Sequence, residues 1–102
     1  MREKEFEKWL HLQYPKSTHT VFSRFSNCRT VERKLGDLDL HYETDRAVSV
    51  LSLLSYSKED ERNNIEPAVL IIKKGNIYNG LATLRQAVRR YVDFRNDEIY
   101  VL

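Results

Sequence analysis

Hydrophobic positions recur at spacings of three and four along most of the chain, the period of helices that bury one face. Near the C-terminal end Ile77, Leu81, Leu84, Val88 and Tyr91 form such a stripe and predict a helix over about residues 76–94. Phe6, Trp9, Leu10 and Gln13 set the inner face of a first helix. Its first turn carries Glu3, Glu5 and Glu7, where carboxylates complement the helix dipole, and Pro15 closes it. Ser17 or Thr18 offers an N-cap oxygen for a second helix, in which Val21, Phe22, Phe25, Cys28, then Val31 or Glu32, and Leu35 recur up to Gly36, a natural C′ residue.

The middle of the chain is less regular. Residues 37–43 read as a loop or a short helix, with Leu38, Leu40 and Tyr42 able to form one docked turn. Thr44 is placed to cap a third helix running from about Asp45 through Val48, Leu51 and Leu54, expected to be the most buried element. Residues 56–76 form a long connection, in which Ser57 and Asp60 can nucleate a capped turn and Val69–Ile72 can act as an apolar clamp over the core. Val69–Ile72 and the tail Glu98–Leu102 are the β-prone pieces, so a small two-stranded pairing between them is open.

The pattern predicts an all-α fold: a compact bundle of four to five helices with a long connection before the last, and possible minor β pairing. Composition agrees. At 102 residues, 41% hydrophobic and 31% charged, with three Gly and two Pro, the chain suits one domain that needs no metal or disulfide to hold its core. We expect that domain to span residues 1–102, with its core over about 4–95 and a tail over 96–102. No apolar run is long enough to cross a bilayer, and the charged start Met-Arg-Glu-Lys-Glu lacks the apolar centre of a signal peptide, so a cytoplasmic protein is expected. Cys28, the single cysteine, falls on the apolar stripe of the second helix, which predicts a buried, unreactive thiol.

Charge changes the picture more than composition does. Residues 1–36 hold eight Lys or Arg against four Asp or Glu, residues 37–66 three against eight, and residues 67–102 six against three. A net charge of +2 therefore conceals basic ends and an acidic middle. Packing of the first and last helices against each other would gather the positive charge on one side. Arg24, Arg29, Arg33 and Lys34 on the second helix, with Arg85, Arg89 and Arg90 on the last, are the candidate phosphate contacts. Asn27 and Gln86 are the candidates for base readout. The same rows serve equally well as solvated faces of core helices.

Reaction chemistry finds little support. His11, His19 and His41 have no His or Cys partner at zinc-site spacing, and Gly36, Gly75 and Gly80 do not make a phosphate-binding fingerprint. Asp37, Asp39, Glu43 and Asp45 lack the further oxygen ligands and the glycine of a calcium loop. No nucleophile is paired with a base. We expect no catalytic residue, metal or cofactor, and hence no enzyme.

Phe6-x-x-Trp9-Leu10, then Ser17-Thr18-x-Thr20-Val21-x-x-Arg24, then Arg33-Lys-Leu-Gly-Asp-Leu38 and a tyrosine-bearing last helix together resemble the SAM-like core-binding domain of tyrosine recombinases. Arg29-Thr-Val-Glu32, Gly36-Asp-Leu-Asp39, Leu54-Ser-Tyr-Ser57 and Gly75-Asn-Ile-Tyr-Asn-Gly-Leu-Ala-Thr-Leu84 more closely resemble the small helical N-terminal domain of some bacterial nuclease and restriction-type proteins. Either resemblance implies a helical DNA-side accessory module, because recombinase core-binding domains help to clamp duplex while catalysis resides in a separate domain. A non-catalytic DNA-binding module is thus one expectation. The other is a protein-interaction module: an adaptor, a homodimerising domain or a mobile-element inhibitor of a nucleic-acid-processing machine. In that case Tyr14, Tyr56, Tyr78 or Tyr100 would serve as an exposed anchor, and the acidic segment 37–66 would imitate phosphate charge, with Asp37 and Asp39 the residues to neutralise in a test.

Overall fold

The computed structural model describes residues 1–69, 71 and 75–101, and every regular element among them is a helix. In chain order these are α1 (Glu3–Gln13), α2 (Thr18–Leu35), α3 (Leu38–Asp45), α4 (Val48–Leu53), α5 (Lys58–Arg62) and α6 (Ile77–Val101). The fold is all-α. No helix among the described residues is long and apolar enough to cross a membrane.

The first two helices end and start where local chemistry dictates. Pro15 follows the last turn of α1, whose final hydrogen bond runs from the Tyr14 amide to Leu10 O at 2.8 Å. The Ser17 hydroxyl caps α2 by accepting from the Thr20 amide at 3.2 Å. At the other end Gly36 takes φ +95°, a left-handed conformation that glycine adopts without a Cβ penalty. The short connection folds α1 back along α2 as an antiparallel helical hairpin, which brings Glu3 beside Arg29 and Met1 beside Glu32.

Helix α6 is the spine, and α1, α2, α3 and α5 all pack on it. Its inner face supplies Leu81, Leu84, Ala87, Val88, Tyr91 and Phe94, which meet Phe6 and Leu10 of α1 and Val21, Cys28 and Val31 of α2. Each such leucine or phenylalanine removed from water contributes about 1.5–3 kcal/mol. Aromatic rings close the α1–α6 seam: Phe6 meets Tyr91 edge-on at 4.9 Å and Phe94 at 5.4 Å. Cys28 is fully buried and its thiol donates to Ala87 O at 3.2 Å. Burial pushes that thiol's pKa well above its ordinary value, so the reactive thiolate is suppressed. Of the two residues the stripe left open, Val31 enters the core and Glu32 stays at its edge.

The third predicted helix is where the structure departs most from the pattern. Arg46 and Ala47 sit at φ +59° and +68°, so the chain breaks in the left-handed region and restarts as the six-residue α4. Thr44 does not cap it. Its hydroxyl donates backward to Leu40 O, and the Asp45 carboxylate accepts from the Ser49 amide at 3.0 Å instead. Only Val50 of this helix is fully buried, while Val48 and Leu53 are 64% and 39% exposed. The expectation of a most-buried third helix is therefore corrected: α6 carries that role. Phe22, Leu40 and Gln13, placed inward by the pattern, also face solvent.

The short elements follow the sequence. Ser57 and Asp60 form a reciprocal capping box that starts α5, with both bonds at 3.0 Å. Val69 and Ile71 pack on the core as the clamp expectation requires, whereas Leu70, Ile72 and Leu102 lie outside the described residues. Helix α6 continues through Val101, past its expected end at Phe94, so residues 96–101 are helical and do not enter the β pairing left open.

A polar cluster fastens the helix ends. The Met1 ammonium bonds Glu32 and Asp37 at 2.8 Å each and lies 3.4 Å from Asp39. Asp39 accepts from the Tyr91 hydroxyl at 2.5 Å and from Arg95 at 2.6 Å. Arg95 also stacks over Tyr42 at 4.5 Å, and the Tyr42 hydroxyl donates to Asn96 at 2.7 Å. These bonds dock α3 against the far half of α6.

Candidate nucleic-acid interface

The seven cations singled out by sequence do not share a face. At about 100° per residue, Arg24 and Lys34 each stand about 140° round α2 from Arg29, and Arg90 stands about 140° round α6 from Arg85. Two of the seven are structural. Arg85 is half-buried and donates to Leu54 O at 2.7 Å, tying the end of α4 to α6. Arg90 bonds Asp93 at 3.0 Å and stacks over Trp9 at 5.2 Å and Tyr14 at 5.6 Å, which holds α1 on α6. The expected exposed Arg85–Arg89 pair joined to the second helix is thus corrected: Arg89 alone of the two is exposed. Arg24 is half-buried, with its Nε atom inside the protein. Lys34 is exposed on the opposite flank of α2 from the α1 side. Among the proposed base readers, Gln86 is exposed, whereas Asn27 is half-buried and donates to Ser23 at 3.4 Å.

Arg29 and Arg33 remain, both exposed on α2, and the fold gives them new company. Phe22, Ser26, Arg29 and Arg33 recur at four, three and four, a single stripe along α2 facing the α1 side. With Phe25 and Glu7 they line a groove of about 460 Å³ between the two helices. Phe22 is 58% exposed at its edge. Arg29 stacks over Phe25 at 5.9 Å and reaches Glu3 at 3.5 Å, an exposed pair of the kind worth little in water. Arg33 bonds Thr30 at 3.1 Å, a tie within its own helix that leaves its charge at the surface.

A second depression, of about 310 Å³, is lined by Lys4, Glu7, Lys8 and His11 along α1. Glu7 lines both, so the two adjoin. The resulting surface presents Lys4, Lys8, Arg29 and Arg33 against Glu3 and Glu7, with an exposed phenylalanine at one end of the α2 stripe. Phe22, Lys4, Lys8 and His11 were not among the residues chosen from sequence. Their signal was present as two stripes, 4-7-8-11 and 22-26-29-33, but nothing in the pattern says that those stripes line adjoining depressions that meet at Glu7.

The residues proposed for a protein anchor fare differently. Tyr56 is buried with its hydroxyl on Ile65 O, Tyr14 lies under Arg90, and Tyr78 lies under Lys58 at 5.6 Å. The side chain of Tyr100 lies outside the described residues. Asp37 and Asp39 are engaged by Met1, Tyr91 and Arg95, so they do not form a free phosphate-like pair. The hydrogen bond from the Met1 ammonium holds the Asp37 carboxyl below the usual range. Burial works against ionisation of Asp39, but the Tyr91 hydroxyl and the Met1 and Arg95 charges outweigh it and lower its pKa as well. Among the described residues no group of three or more His, Cys, Asp or Glu is placed to hold a metal ion. No protein-family model, curated protein or solved structure matches this chain, so function has to be inferred from the groove itself.

Proposed function

We propose that this chain is a non-catalytic nucleic-acid-binding module that contacts phosphates through the α1–α2 surface. The observation that carries this is the gathering of Lys4, Lys8, Arg29 and Arg33 along two adjoining grooves, with Phe22 exposed beside them. Such cations release condensed counterions when they meet a phosphate backbone, and an aromatic beside them adds a stacking surface. The sequence resemblance to DNA-side helical domains agrees with this assignment. Its location moves from the second and last helices to the first two, because Arg85 and Arg90 are consumed in holding the fold together.

The test is the salt dependence of binding to an oligonucleotide, measured by fluorescence anisotropy. Arg33→Ala and Lys8→Ala should each weaken binding and reduce the slope of log K against log salt by about 0.7–0.9 per lost contact. Arg89→Ala should leave the slope unchanged. A protein-interaction module is the second reading, favoured by Glu3 and Glu7 among the cations, since a mixed-charge rim around an exposed phenylalanine suits a protein partner. Absence of salt-sensitive binding at low ionic strength would select it.

A further inference from the structure

We infer that the strand bound on this surface is single-stranded DNA, with one base stacked on Phe22. The inference rests on the nucleic-acid reading above and adds the form of the ligand. Phe22 is 58% exposed although the helical period would allow it to turn inward, and its ring borders a groove floored by Phe25. In a duplex the bases stack on one another, so a surface phenylalanine finds no free base face. An unpaired strand offers one with every nucleotide.

The arrangement of charge fits the same ligand. Arg29 lies about two helical turns beyond Phe22 and Arg33 about one more, so a strand lying along α2 meets the aromatic ring first and the two guanidinium groups after it. Lys4 and Lys8 line the adjoining depression on α1, beyond Glu7, where their charge meets phosphates of a strand that extends past the groove. Duplex readers instead push a convex helix into a major groove about 12 Å wide, whereas this surface is a furrow between two helices. The hydrocarbon of Phe22 and Phe25 suits a deoxyribose, which brings no 2′-hydroxyl to desolvate. Arg29 becomes available when a phosphate displaces Glu3, an exchange that an exposed ion pair permits at small cost.

The experiment uses the whole chain and fluorescein-labelled oligothymidylate at low ionic strength. Arms with a duplex and an oligouridylate of equal length run in parallel. The expected result is tighter binding of the single DNA strand than of duplex, weakened roughly 5- to 100-fold by Phe22→Ala and retained by Phe22→Trp. The added indole should be quenched on binding. Circular dichroism should show both variants folded, since Phe22 is at the surface. Three outcomes overturn the inference while leaving nucleic-acid binding intact: a duplex preference, indifference to Phe22→Ala, or tighter binding of the ribo-oligomer. Failure of every oligonucleotide to bind would instead overturn the nucleic-acid reading itself.

Discussion

Phe6 and Phe22 are the same residue type on adjacent helices of one hairpin, and they have opposite fates. Phe6 is completely buried in the α1–α6 seam among Tyr91, Phe94 and Trp9, whereas Phe22 is 58% exposed on the α1–α2 groove. The arginines divide in the same way. At the seam Arg90 is stacked on Trp9 and Tyr14 and bonded to Asp93, while at the groove Arg33 keeps its charge at the surface. The seam uses aromatic and cationic groups on each other to hold helices together; the groove leaves the same chemistry available to a ligand. An arginine's role in this fold follows from whether its flank of the helix meets another helix.

The contrast breaks most sharply at the seam. Phe6→Ala should cost about 3–5 kcal/mol in urea denaturation, as truncation of a buried phenylalanine does. A loss below 1 kcal/mol would mean that the seam is not the packed side. Next comes Arg95→Ala, which leaves Asp39 without its guanidinium partner beneath Tyr42, and about 3 kcal/mol of destabilisation is expected from the same measurement. Arg85→Ala removes a charge-assisted bond to Leu54 O from a half-buried site and should cost about 1–2 kcal/mol, where Arg89→Ala, at an exposed position, should cost almost nothing.

The polar cluster predicts a pH effect at alkaline values. Burial opposes the charge of the Met1 ammonium, but its hydrogen bonds to Asp37 and Glu32 prevail and raise its pKa from 8.0 to about 10. A folded-state pKa above the unfolded one stabilises the native state fully below pH 8.0 and loses that contribution as pH rises to about 10. Thermal melts should therefore decline across that window, and acetylation of the Met1 amine should flatten the decline. Asp37 works in the opposite sense, since its lowered pKa supplies stability at neutral pH that is lost as acid protonates it. The smallest effect sharpens the comparison from the other side: Phe22→Ala should change stability by less than about 0.5 kcal/mol while altering ligand binding. A large loss of stability would place Phe22 in the core after all.

Much of the fold was legible because it rests on local signals. The Pro15 stop, the Ser17 cap, Gly36 at the end of α2 and the Ser57–Asp60 capping box each involve groups within a few residues of one another. The broken third helix was not legible, since Val48, Leu51 and Leu54 keep a helical period across a start that Arg46 and Ala47 delay in the left-handed region. Helix α6 exceeded its expected end because Arg95 and Asn96, which look like a polar exit, are bonded to Asp39 and Tyr42 from α3.

The sequence by itself determined a predominantly helical chain, the principal amphipathic stripes and the burial of Cys28, since periodicity and caps act over one or two turns. Tertiary structure alone decided which arginines are fasteners and which are presented, and it turned Phe22 outward. The physical reason is that a helix with apolar residues on more than one flank can bury only the flanks that its neighbours cover. For α2 those neighbours are α6 and the inner side of α1, which leave the stripe of Phe22, Ser26, Arg29 and Arg33 at the edge of an open groove.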